Sequence, residues 1–219
     1  MATDSGETAQ WPEIAIIGAG FAGIGMAITL RRAGYGNITI FEKADRLGGT
    51  WRDNSYPGAG CEVPSHLYCY SFAPKPDWSR RYAPQAEILA YLEDCADRFD
   101  VRRHIRFATE VKAASYEEDT ARWSLTLADG KTVKADILMT GCGQLNRPLT
   151  PDLPGLDGFR GISFHSARWR HDIDLAGTRE GLGTREGDQL ALQYMAEQKS
   201  MTEATTQSLV PETQVEIQP

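Results

Sequence analysis

The chain has 219 residues, 41% hydrophobic and 24% charged, with a formal net charge of −7 and a pI near 5.2. That is enough for one good core plus an appendage in an ordinary globular protein. The acidic balance argues against a nucleic-acid binder, which needs a basic face for phosphates. It leaves open a phosphate-bearing cofactor held by backbone N–H groups.

Cys61, Cys69, Cys95 and Cys142 form no C-x-x-C pair, and no histidine cluster has metal-ligand spacing. The expectation is therefore no metal, no disulfide scaffold and a reduced, cytoplasmic protein. The polar start, MATDSGETAQ, lacks the basic and apolar regions of a secretory signal. No apolar run is long enough to span a bilayer. Residues 1–11 read as a disordered leader.

Ile14–Ile17 is a short β-branched run, the pattern of a buried parallel strand. Gly18-Ala-Gly-Phe-Ala-Gly23 follows and opens a compact apolar helix with Ile24, Met26, Ala27, Ile28 and Leu30. Arg31, Arg32, Gly34 and Gly36 mark its end. Ile38–Phe41 is a second strand, terminated by Glu42. Together these make one βαβ unit.

The glycine pattern G-x-G-x-x-G is weak alone, but here it has strand before, helix after and an acid about 20 residues on. Gly18 permits the tight turn, Gly20 lets a pyrophosphate approach the backbone, and Gly23 lets helix and strand pack closely. Phe21 and Ala22 lie between them at the helix mouth. Glu42 is placed to hydrogen-bond ribose hydroxyls, and its charge disfavours a ribose 2′-phosphate. The ligand is then FAD or NAD. The plainer alternative is a glycine turn in another α/β fold.

Residues 43–83, rich in Gly, Pro, Trp and Tyr, read as a long ordered loop, and residues 85–99 as an amphipathic helix with Ile88, Leu89, Leu92, Cys95 and Phe99 inward. Trp123–Leu127 alternates like a half-buried strand and Asp129-Gly130 marks a hairpin turn. Val133–Thr140 reads as a further strand pair, closed by Gly141-Cys-Gly143. Beyond residue 171 the chain is polar. Leu190, Leu192, Tyr194 and Met195 suggest one short helix.

Two segments choose between the ligands. Arg46-Leu-Gly-Gly-Thr-Trp51 looks like the second glycine turn of FAD-binding oxidoreductases, with Gly49 beside the cofactor. The run Gly48–Phe72, GGTWRDNSYPGAGCEVPSHLYCYSF, closely resembles Baeyer–Villiger monooxygenases of the class B flavoprotein monooxygenases. Phe159, Gly161, His165 and Trp169 match that family's F-x-G-x-x-x-H-x-x-x-W signature, and Gly141–Pro148 resembles its turn after the strand returning to the flavin. The resemblance covers about residues 13–176.

The resemblance implies an α/β, Rossmann-like FAD-binding domain over residues 12–158, a parallel sheet with helices plus a small antiparallel meander. It implies a signature linker over 159–176. It implies FAD reduced by NADPH, and one oxygen atom of O2 inserted into a ketone. Carried over by position, Thr50 and Trp51 line the flavin, and Tyr68, Val111 and Gln144 match further flavin contacts. Glu62 stands where the family has a catalytic aspartate, keeping the charge with one more methylene. His165 and Trp169 match residues that couple domain movement to turnover. The plainer readings are core aromatics for Trp51 and Tyr68 and a structural histidine for His165. Arg170 departs from the Pro or Asp that usually ends the signature.

The family needs a second dinucleotide unit for NADPH just after this signature. In its place residues 177–219 form a divergent polar tail. Gly181, Gly183 and Gly187 make only a faint glycine pattern, and Glu186 is unfavourable beside phosphate. The expectation is a chain truncated or divergent after about residue 177, lacking the NADPH domain, with a partner chain completing the fold as one outcome. The competing expectations are a non-catalytic FAD-binding fragment and, last, a plain NAD-binding protein.

Overall fold

The computed structural model describes residues 11–150, 155–176 and the backbone of 191–193. The described chain divides into two compact units. The first comprises the segment up to Gly49 together with Leu92–Gly143, and the second Thr50–Tyr91 together with the segment from Gln144 onward.

The first unit is built on a parallel sheet. Strand β1 (Ile14–Ile17) leads into helix α1 (Phe21–Arg32) and returns as β2 (Ile38–Phe41), with β1 and β2 in parallel register from Ile14 opposite Ile38 to Ile17 opposite Phe41. The short β3 (Ile105–Arg106) pairs outside β2, and β7 (Ile137–Thr140) pairs parallel on the other side of β1. The order β3-β2-β1-β7 puts β1 and β2 inside the sheet. Both are largely buried, as the apolar run of β1 and the Ile-Thr-Ile-Phe of β2 require.

Helix α1 presents Gly23, Ile24, Ala27 and Ile28 inward and ends as the sequence indicates. Gly34 takes a left-handed φ of +92°, its N–H bonds Arg31 O, and Tyr35 N–H bonds Leu30 O. This is a Schellman stop, and Arg31 and Arg32 complement the helix dipole there.

A three-stranded antiparallel meander runs β4 (Val111–Glu117), β5 (Arg122–Leu127) and β6 (Thr132–Ala135). Gly130, at φ +83°, closes the β5–β6 hairpin where Asp129-Gly130 signalled it. Leu125, Leu127 and Ala135 of the meander share a core with Ala15 and Phe41 of the parallel sheet, and Val111, Trp123, Val133 and Leu138 pack against it.

Two expectations are corrected. Val133–Thr140 holds two strands, but they do not pair with each other: β6 joins the meander and β7 the parallel sheet. Asp136 lies between them, and its N–H and that of Ile137 both bond Glu13 O, which turns the chain from one sheet to the other. The helix suggested around Leu190–Met195 is also wrong in its described part. Ala191–Gln193 is a strand, β9, paired antiparallel with β8 (Ser163–His165). Pairing with a distant backbone overrides local apolar spacing.

The second unit is mostly irregular, as expected for residues 43–83. It contains the single turn of helix α2 (Thr50–Asp53) and a 3-10 turn at Ser65–Leu67. Ser65 is fully buried and ties this loop together. Its Oγ donates to the carbonyls of Arg80 and Arg81 and accepts from Ala83 N–H. Helix α3 (Gln85–Arg98) buries Ile88, Leu92, Cys95 and Ala96, and the boundary between units falls within it. No helix among the described residues is long and apolar enough to cross a membrane.

Candidate functional site

In the first unit the glycines act through backbone contact. Gly18 leaves β1 at φ +97°, and a Cβ there would stand 2.7 Å from Gly141 O. A Cβ on Gly23 would stand 1.8 Å from Gly18 O, and one on Gly141 would stand 2.9 Å from Gly23 N. The end of β1, the first turn of α1 and the end of β7 thus meet at three residues without side chains. Sequence reasoning named Gly18 and Gly23 but gave Gly141 no packing role; its position directly after an apolar strand was the available signal.

Gly20 is the N-cap of α1 and supplies no side-chain cap. The first turn contains no acidic residue, so the helix mouth presents amide N–H groups and the positive dipole end. The second glycine turn lies over it. Gly48 N–H bonds Ala19 O at 2.9 Å, Gly49 sits at φ +55°, and a Cβ on Gly49 would come within 3.2 Å of Gly20 Cα. Phe21 and Ala22 occupy the first positions of the helix as expected.

Glu42 is 4% exposed. Its Oε2 accepts from Ala19 N–H at 2.8 Å and its Oε1 from Ala44 N–H at 2.9 Å. A buried carboxylate is tolerated when such donors meet it. The acid therefore holds the glycine turn to the end of β2, a role that spacing alone did not reveal. A carboxylate offers about four acceptor positions, so amides and ribose hydroxyls can be served together. Val111 begins β4 opposite Leu127 and packs on the shared core.

In the second unit, Thr50 and Trp51 open α2. Asn54 Nδ2 donates to both the carbonyl and Oγ1 of Thr50 at 3.0 Å. Trp51 Nε1 donates to Tyr68 Oη at 3.1 Å, and the two rings meet edge to face at 5.3 Å. Gln85 Nε2 donates to Trp51 O. Glu62 is exposed, yet its charge reaches two phenols and a thiol. Burial first, and Glu62 second, push the Tyr56 phenol up. Burial pushes up the Tyr68 phenol, opposed by the Trp51 hydrogen bond, with the charges of Cys61 and Glu62 adding smaller upward effects. Burial also raises the Cys61 thiol, which suits a packing role for this cysteine. Gln144 lies exposed in the turn after Gly143.

The signature segment packs on itself. The Phe159 ring lies over Gly161, where a Cβ would meet the ring edge at 2.4 Å. His165, 8% exposed, accepts Ala167 N–H on Nδ1 at 3.0 Å and so caps the 3-10 turn Ser166–Arg168. That contact places the proton of the neutral ring on Nε2. Trp169 meets Phe164 edge to face at 5.1 Å and Tyr56 at 6.3 Å. Arg170, the departure from the usual pattern, forks onto Asp172 with both contacts at 2.7 Å and holds that carboxyl down at about 2. His171 Nε2 lies 2.8 Å from Ser55 Oγ. Sequence reasoning named neither Ser55 nor His171.

Comparison with known proteins gives this arrangement its family. The family model described as "FMO-like: Flavin-binding monooxygenase-like" matches residues 12–209. The chain belongs to this flavin-binding monooxygenase-like family. A Baeyer-Villiger monooxygenase of Streptomyces coelicolor is 51% identical over 166 residues, covering 76% of this chain and 32% of the relative. One from Pseudomonas aeruginosa is 44% identical over 167 residues, with the same coverage of 76% and 32%. The crystal structure of cyclohexanone monooxygenase from Rhodococcus sp. Phi1 bound to NADP+ superposes with a TM-score of 0.69 at 42% identity, covering 78% of this chain and 33% of that one. The chain spans about a third of the length of the curated relatives it matches. The α/β fold, a parallel sheet with helices and an antiparallel sheet, is a partial Rossmann-like domain of this flavin-binding monooxygenase-like family. The expected NADPH-binding region, residues 177–219, lies outside the described residues except for 191–193.

Proposed function

We propose that the chain binds FAD and serves a monooxygenase reaction of Baeyer–Villiger type, in which one oxygen atom of O2 enters a ketone at the expense of NADPH. The observation that carries this reading is the glycine cradle. Backbone atoms exclude a Cβ at Gly18 and Gly23, Gly20 and Gly49 face each other at close range, and buried Glu42 fixes that turn. The backbone amides that open α1 would hold the diphosphate of FAD, and Glu42 would take ribose hydroxyls.

Thr50, Trp51, Tyr68, Val111 and Gln144 are the proposed flavin contacts, and Glu62 the proposed catalytic carboxylate. Bound FAD, once reduced by NADPH, supplies the activation of O2. The chain's own residues supply placement and charge. The Trp51–Tyr68 hydrogen bond fixes one ring against the other, and burial, with a smaller contribution from the Glu62 charge, raises the Tyr56 and Tyr68 phenols so that they remain protonated at neutral pH. Phe159, Gly161, His165 and Trp169 shape the signature segment and are proposed to act on turnover from outside the chemistry. The four cysteines, none in a disulfide, support a reducing, cytoplasmic setting.

A second reading is an FAD-holding chain without turnover of its own, with NADPH binding supplied by a partner chain. It is favoured by one observation: the described residues contain one glycine-turn βαβ unit. Absorbance of the purified chain after FAD loading and desalting tests both. Retained flavin bands that bleach with NADPH, with ester formed from a supplied ketone in air, support the enzyme. Retained bands without bleaching favour the second reading. A colourless protein that binds NAD instead removes both.

A further inference from the structure

The loop between α2 and the 3-10 turn at Ser65 is anchored at both ends by its own surroundings. Asn54 N–H and Nδ2 bond Thr50 at one end. At the other, Cys61 N–H bonds Ala83 O, Gln85 N–H bonds Ala59 O, and Gly60 bridges Pro84. Ser55 and Tyr56 lie between these anchors. There the signature segment reaches them twice: the Trp169 ring packs on the Tyr56 ring, and His171 meets the Ser55 hydroxyl at 2.8 Å. Trp169 is itself braced edge to face by Phe164 on β8.

We infer that Trp169 and His171 are positioning residues that clasp Ser55 and Tyr56 and so hold the Tyr56 phenol against the charge of Glu62. This rests on the reading of Glu62 as the functional carboxylate. It gives the signature segment a physical route to that carboxylate within its own unit: signature ring to Tyr56 ring, Tyr56 phenol to Glu62. Neither Ser55 nor His171 belongs to the F-x-G-x-x-x-H-x-x-x-W pattern, so the second contact of the clasp lies outside that signature.

The Tyr56 phenol is a built-in reporter, because burial and the Glu62 charge both raise its titration midpoint. Tyrosine labelled with carbon-13 at the ring Cζ can be titrated by NMR in the whole chain without cofactor, with Tyr56→Phe assigning the signal. In the intact protein, Glu62→Gln should lower the Tyr56 midpoint. In Trp169→Ala the midpoint should fall, and the further response to Glu62→Gln should shrink by more than half. Ser55→Ala and His171→Ala each delete one hydrogen bond and should give the same change in smaller degree. They decide the question if Trp169→Ala fails to fold. A Tyr56 midpoint and a Glu62 response that are the same in folded Ser55→Ala, His171→Ala and Trp169→Ala as in the parent would overturn the clasp. Because no flavin is needed, this outcome is separate from any failure of FAD binding or turnover.

Discussion

The two units use their residues in opposite ways. In the first, the work is done by backbone: glycines where side chains are excluded, amides at an uncapped helix start, and a carboxylate bonded to two N–H groups. In the second, side chains from separate loops do it, through Trp51 on Tyr68, Trp169 on Tyr56 and His171 on Ser55. Backbone devices leave fixed spacings in sequence, because strand, turn and helix follow one another directly. Side-chain devices leave none, because their members are far apart in the chain.

The contrast predicts which substitutions do most harm. Gly23→Ala should have the largest effect. Its Cβ would fall 1.8 Å from Gly18 O, a backbone atom that moves only if the turn opens. Overpacking of this kind costs about 3 kcal/mol, read as a fall in the urea midpoint, and flavin retention should be lost with it. Gly34→Ala is the control. Unlike helical Gly23 it sits at a positive φ, +92°, but it has nothing within 4 Å, so it should cost only about 1 kcal/mol. A loss in Gly23→Ala no larger than in Gly34→Ala would show that the close approach to Gly18 O is relieved at little cost, and the cradle would not be held by excluded side chains.

Glu42→Ala should come next. It strands the amides of Ala19 and Ala44, the first of them buried. Leaving a buried donor unsatisfied costs about 1–3 kcal/mol. Stability measured without cofactor separates this structural role from the proposed ribose contact. If Glu42→Ala weakens FAD retention with no change in the urea midpoint, the acid serves the ligand alone.

These residues also show what the sequence could tell. β1, α1, β2 and the Asp129-Gly130 turn were legible because each is a local pattern with a local cause. β3 has two residues, and β4 reads Lys-Ala-Ala-Ser-Tyr-Glu after Val111, largely exposed, so neither carries an apolar signal. The division of Val133–Thr140 between two sheets depends on Glu13, more than a hundred residues earlier, accepting two N–H groups at the crossover. The cradle glycines were found by spacing, but Gly141 completes the three-way contact from another strand. Trp51, Tyr68 and Glu62 were named only through resemblance, since nothing local marks one tryptophan as a partner of a tyrosine in a loop.

Tyr68→Phe should be milder. It removes the acceptor for Trp51 Nε1 but keeps the edge-to-face ring contact. Both residues are only partly buried, so water can replace the bond, and the cost should be about 1 kcal/mol. A loss as large as that of Gly23→Ala would mean the aromatic pair is as structural as the cradle, and the contrast between the units would fail.

The smallest effect tests the first unit where it behaves like the second. His104 carries no motif, yet it joins three segments by side chain. Nδ1 lies 3.1 Å from Ile38 O and so carries the ring proton, while Nε2 accepts from Arg31 at 3.1 Å. Burial, then the nearby Arg31 and Arg103 guanidinium groups, push its pKa below the ordinary value of about 6.5, against the opposing pull of the Ile38 carbonyl and Asp100. Protonating Nε2 would aim a new N–H at a guanidinium that also holds Asp100. The fold thus favours neutral His104, and the unfolded chain takes up this proton first as pH falls. Its contribution to stability is complete above about pH 6.5 and declines as pH drops toward the folded-state pKa. Urea midpoints of the parent chain should therefore fall more steeply below neutrality than those of His104→Gln, after which the two profiles run parallel. Profiles parallel from the outset would mean that Arg31 tolerates the charged ring, and that this corner of the first unit is held by α1, β2 and Asp100 without it.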